Sequence, residues 1–142
     1  MYARSIAMAA VLVVFSAGAA NAALFNVTTT LKGSNEVPPN TTAGSGTVSA
    51  TLDTTAKSFS YSVRYSGLTG PAKAAHFHGP AAPGVNAPPV ITMTSLTSPI
   101  MGTATLTDAQ IADLRAGKWY FNVHTAAHPG GEIRGQLKVT PK

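Results

Sequence analysis

The four histidines of the sequence fall in two short segments, His76-Phe77-His78 and His124-Thr125-Ala126-Ala127-His128. Residues i and i+2 of a β-strand project to the same side. On a strand, His76 and His78 therefore project together, with Phe77 turned to the core. Two imidazoles so placed form a two-nitrogen chelate, and imidazole suits copper, zinc, nickel and iron. His124 projects from the polar face of a second strand, and His128 follows on the next loop. If the segments lie side by side, His76, His78 and His124 converge on one divalent cation, with copper or zinc expected. His128 is a further candidate ligand. The same spacing also suits a polar strand face whose imidazoles are satisfied by hydrogen bonds, so a structural role stays open.

Three other charged residues belong to this reading. Glu132 and Arg134 stand at i and i+2 and share a strand face, which predicts an ion pair. In the functional alternative, Glu132 supports a histidine from behind or binds the metal itself. Glu36, just before Val37-Pro38-Pro39, is a carboxylate able to fold onto the same site.

Other chemistry finds little footing. There is no cysteine, so disulfides and thiolate ligands are excluded. No serine sits in a G-x-S-x-G elbow, and Gly44-Ser45-Gly46 lacks the lysine and helix of a phosphate loop. The few carboxylates are separated, so paired acid–base catalysis is not suggested. Met93 and Met101 can ligate Cu(I), but core gap-filling is the expected role.

The elements that must position these residues are mostly strands. Turn signals recur at short intervals between β-rich runs, the pattern of a sandwich or barrel. Candidate strands are Leu24–Leu31, Thr47–Leu52, Ser58–Tyr65, Lys73–His78, Val90–Leu96, Gly102–Leu106, Trp119–Thr125 and Glu132–Val139. The second and third alternate cleanly and, with the short turn at Asp53–Lys57, predict a hairpin. A Pro/Gly/Ala loop spans Gly79–Pro89. One helix is predicted over Asp108–Ala116: Thr107 and Gln110 form a capping box, Leu106 and Ile111 a hydrophobic staple, and Gly117 a stop.

The chain start reads as an export signal. Arg4 is followed by the apolar run Ile6–Phe15 and by Ala20-Asn21-Ala22, an A-x-A cleavage pattern. The run is shorter than the roughly 20 residues needed to span a bilayer. Of 142 residues, cleavage near Ala22 leaves 120, one domain over residues 23–142 with no membrane span. The expected location is the periplasm or the medium. The remaining basic residues are scattered, which argues against nucleic acid as partner. The expected partner is a metal ion or an extracytoplasmic protein, and the oligomeric state is left open.

Four ordered blocks carry a family resemblance. They are Leu31–Pro39 (LKGSNEVPP), Ala74–Ala81 (AAHFHGPA), Leu114–Thr125 (LRAGKWYFNVHT) and His128–Leu137 (HPGGEIRGQL). Together they resemble a CHRD (chordin) domain from about Leu24 to Val139. The one departure is His128, which stands where the family pattern has Asn. The resemblance implies an exported β-sandwich module, one that in bacteria occurs alone behind a signal peptide. In chordin such domains sit in an extracellular growth-factor antagonist, with that binding associated with other modules. A weaker similarity, His-x-His on a strand of an exported sandwich, is to copper/zinc superoxide dismutases, although their cysteines and most of their metal-loop pattern are missing. The expectation is an all-β, Greek-key, immunoglobulin-like or superoxide-dismutase-like β-sandwich with one short helix. The expected function is a non-enzymatic binding module with a histidine-based copper or zinc site. The alternatives are a protein-interaction or adhesion domain with structural histidines and, last, a dismutase-like redox enzyme.

Overall fold

The computed structural model describes residues 12–14 and 23–142. The signal-peptide reading of residues 1–22 lies outside the described residues except at 12–14.

Among the described residues, nine strands and one α-helix follow in chain order, with a single 3-10 turn at Gly33–Asn35. They are β1 (Leu24–Lys32), β2 (Ser45–Asp53), β3 (Ser58–Ser66), β4 (Ala72–His78), β5 (Pro89–Thr92), β6 (Ile100–Thr105), α1 (Asp108–Arg115), β7 (Tyr120–Thr125), β8 (Ile133–Gln136) and β9 (Lys138–Pro141). The hairpin forms as its alternation requires. Val48, Ala50, Leu52, Phe59 and Val63 are buried, while Thr47, Ser49, Ser60 and Arg64 are exposed. Its turn is fastened by Asp53, whose Oδ1 accepts from the Thr55 and Ala56 N–H groups at 2.9 Å each. In α1 the predicted capping box is present in both directions. Leu106, Ile111 and Leu114 are buried as the staple and apolar face demand.

The strands form one antiparallel path, β5-β4-β7-β8-β1-β2-β3-β6, with β9 also on β1. The sandwich-like shape arises because this path folds over its own apolar face. Phe59 on β3 meets Phe77 on β4 at 5.2 Å and Trp119 at 6.1 Å, both edge-on, although β3 and β4 are not paired. Aromatic edge contacts of this kind add about 0.5–1.5 kcal/mol each beyond area burial. The expected all-β fold with one short helix is present, as a nearly barrel-like sheet.

Several boundaries differ from the sequence pattern. The run Glu132–Val139 is two strands: at Leu137 the N–H still bonds Trp119 O at 2.9 Å, in register with the β7–β8 pairing, and beyond it β9 pairs with β1. Glu132 lies outside β8. The Val90–Leu96 run is a strand only over Pro89–Thr92. Met93 is buried as expected, but Met101 is 73% exposed on β6, so the core role predicted for it is wrong. It stands opposite Ser62 in the ladder, on the outward face.

The Gly79–Pro89 segment matters most for the site. It lies over the outer face of β7, so β7 is buried on both sides. Tyr120 Oη accepts from the Ala87 N–H at 3.0 Å and donates to Ala87 O at 3.2 Å. Gln136 Nε2 donates to Ala81 O at 2.9 Å. The loop is thereby a polar lid hydrogen-bonded to the sheet.

Candidate metal centre

His76 and His78 lie on β4, with Phe77 fully buried between them on the core side. β7 pairs antiparallel with β4, so that Asn122 stands opposite His76, Tyr120 opposite His78, and His124 opposite Ala74. The register therefore puts His124 diagonally beside His76 on the same face. His76 Nδ1 lies 3.2 Å from His124 Nε2. One nitrogen from each of His76, His78 and His124 lies within 4.8 Å of the others. Two imidazoles on one tetrahedral ion, with metal–nitrogen bonds of 2.0–2.1 Å, place their nitrogens about 3.3–3.4 Å apart. The first pair already meets that spacing, and His78 completes the group within 4.8 Å.

Backbone carbonyls fix two of the rings. Pro129 O lies 2.9 Å from His124 Nδ1, and Ala87 O lies 2.8 Å from His78 Nδ1. A carbonyl oxygen only accepts, so both Nδ1 atoms carry the proton and both Nε2 atoms present lone pairs. Metal-binding histidines are ordinarily held this way, by an acceptor on the nitrogen that does not touch the metal. His78 is further held by stacking on Tyr120, with ring centroids 4.6 Å apart and planes 6° from parallel. Its Nε2 lies 2.8 Å from Asn122 Oδ1.

The electrostatics favour neutral rings. Burial pushes the His76 pKa below its ordinary value, helped by repulsion from His124 and His78. Burial also lowers that of His78, against the opposing pull of its bonds to Ala87 and Asn122. Neutral imidazole is the form that binds metal.

The other sequence candidates go elsewhere. Glu132, fully buried, accepts from Thr42 Oγ1 and Thr125 Oγ1 at 2.8 Å each, from the Thr69 N–H at 3.0 Å, and from the Thr69 hydroxyl. Burial raises its pKa, but the hydrogen bonds from Thr69, Thr125 and Thr42 outweigh this and hold the carboxyl below the usual range. Arg134 sits with its guanidinium 3.5 Å over the Tyr120 ring. It donates to Asn86 Oδ1 at 2.8 Å and to Val85 O at 2.6 Å. The predicted Glu132–Arg134 ion pair is therefore not formed. Glu132 leaves the strand before β8 begins and turns to the threonines, while Arg134 turns to the Gly79–Pro89 lid. His128 shapes the turn through its backbone, its N–H bonding Thr125 O at 3.2 Å and its carbonyl accepting from Gly131 N–H at 3.0 Å.

Glu36 does reach the neighbourhood, one residue removed. Its carboxylate lies beside the Asn122 amide, both packed against the bare α-carbon of Gly131 at φ +128°. Burial raises its pKa from 4.5 to about 7, against the lowering influence of the Arg134 charge and of the nearby Asn122 amide and Val37 N–H. Asn122 is the site residue that sequence reasoning missed. Its signal was its position, two residues before His124 on the polar face of the strand.

A comparison with protein families matches the CHRD domain over residues 27–137. Comparisons with curated proteins and with solved structures returned no match. The match runs from Val27, within β1, to Leu137, just past β8, and includes the three converging histidines, and on it the chain belongs to the CHRD domain family.

Proposed function

We propose that this protein is an exported, non-enzymatic CHRD binding module in which His76, His78 and His124 hold one divalent copper or zinc ion. The observation that carries the reading is the convergence of three imidazole nitrogens within 4.8 Å, two of them on rings oriented by backbone carbonyls. An all-nitrogen donor set favours copper(II) or zinc over calcium or magnesium. The N-terminal pattern around Arg4, Ile6–Phe15 and Ala20-Asn21-Ala22 supports export. Metal analysis of the purified protein tests the proposal: about one equivalent of copper or zinc is expected, lost in the His76→Ala/His78→Ala variant. No metal in the parent protein, or equal metal in the variant, overturns it.

One observation favours a second reading. The ring proton of His78 is already engaged by Ala87 O of the lid, and the ring stacks on Tyr120. In an interaction or adhesion domain, that histidine serves to fasten the Gly79–Pro89 lid. This reading predicts that His78→Ala lowers stability equally with and without added metal.

A further inference from the structure

Glu36 is 3% exposed, and its Oε1 is buried without a hydrogen-bond partner. A buried carboxylate with an unpaired oxygen is costly, so its retention calls for an explanation. Arg134 does not pair with it by hydrogen bonding, since its bonds go to Asn86 and Val85. Glu132 and its threonines form a separate cluster. The polar side chain that Glu36 does face is Asn122, and Gly131 makes the approach possible: a Cβ there would collide with Glu36 Oε1 and stand 2.7 Å from Asn122 Nδ2.

Asn122 in turn faces His78 Nε2 through its Oδ1 at 2.8 Å. Ala87 O holds the ring proton on Nδ1, so in the metal-free protein this contact sets a lone pair against an amide oxygen. Left to itself, the amide would gain by turning its NH2 toward His78. In its ionised form, which prevails above pH 7, the Glu36 carboxylate opposes that turn, because it then accepts hydrogen bonds and cannot donate them. A cation held by Nε2 at about 2.0–2.1 Å sits on the side that this oxygen occupies, so Oδ1 must draw back from its 2.8 Å position, and from there the amide dipole points its negative end at the positive charge.

We propose that Glu36 is a positioning residue of the histidine site, acting through Asn122 to keep that residue's carboxamide oxygen turned toward a cation held by His78. The inference rests on the metal-binding reading above and assigns the site its outer support.

The test is titration of the metal-stripped protein with Cu(II) and with Zn(II), alongside Glu36→Gln, Asn122→Ala and the double variant. Glu36→Gln is expected to weaken binding about 10- to 100-fold, the usual effect of losing an outer-shell partner. It should also leave the thermal midpoint of the metal-free protein unchanged or higher. The double variant should bind no more weakly than Asn122→Ala alone, and the Cu(II) electron paramagnetic resonance spectrum should change in Glu36→Gln. Wild-type affinity in Glu36→Gln, independent effects of the two substitutions, or an unfolded Glu36→Gln protein would each overturn the relay while leaving the histidine site intact. A parent protein that binds neither ion overturns both.

Discussion

His76 Nδ1 and His124 Nε2 stand 3.2 Å apart across the β4–β7 pairing, and Pro129 O holds the His124 proton on the far nitrogen. Without an ion, this contact is a hydrogen bond donated by His76. With an ion, the same two nitrogens are adjacent ligands, once the His76 proton moves to Nε2. The arrangement thus suits both states, at the cost of one part-exposed hydrogen bond. His76→Ala should therefore lower metal-free stability by only about 1 kcal/mol. In the parent protein, free metal at 100 times the dissociation constant should add about 2.7 kcal/mol. Denaturant melts of both proteins, with and without Zn(II), measure the two quantities, and the variant should gain almost nothing from the ion.

Glu36 gives the metal-free protein a specific pH dependence. Its folded pKa, about 7, lies above the ordinary 4.5, so the folded state binds the extra proton between those values. Stability should then fall as pH rises from about 4.5 to 7 and level off above, by up to about 3 kcal/mol from this group. Glu36→Gln should remove that slope and be the more stable protein at pH 8. Chemical denaturation at pH 5, 6, 7 and 8 reads it directly.

Glu132 behaves oppositely. Hydrogen bonds from three threonines hold its pKa low in the folded state, so its contribution is present above the unfolded pKa and lost as pH falls through the folded one. These threonines come from the segments before β2, before β4 and at the end of β7, so the carboxylate ties three segments together. Glu132→Gln keeps the shape but places an NH2 among donors. It should cost about 3 kcal/mol at pH 7, with zinc affinity of the surviving folded protein unchanged.

Gly131 is expected to tolerate no side chain. Its φ of +128° disfavours other residues, and its α-carbon is the floor on which Glu36 and Asn122 meet. Gly131→Ala should cost about 2–4 kcal/mol from strain and overpacking together. A melt within 0.5 kcal/mol of the parent would show that the loop rearranges at little cost, on the scale of neutral surface changes.

What the sequence made legible follows from what is local. The β2–β3 hairpin, the capped helix and the shared projection of His76 and His78 all depend on alternation or on residues a few positions apart. Convergence with His124 depends on the β4–β7 register, which no local pattern reports. The Glu132–Arg134 pairing failed because strand alternation was extended one residue too far, to Glu132, which still belongs to the turn that follows Gly131 and not to β8. Asn122 was read as one more polar residue on the outer face of β7. Only the folding of the Gly79–Pro89 lid over that face, and the arrival of Glu36 from the end of β1, make it part of a buried row. The lid itself, rich in Pro, Gly and Ala, carries its contribution in backbone carbonyls, which leave no trace in residue type.

The most direct test of the three-histidine site is X-ray absorption spectroscopy on the protein loaded with one equivalent of Zn(II) or Cu(II). The account predicts a first shell containing three imidazole nitrogens at about 2.0–2.1 Å, reduced to two in His124→Ala. A shell dominated by oxygen, or one unchanged by His124→Ala, would contradict it.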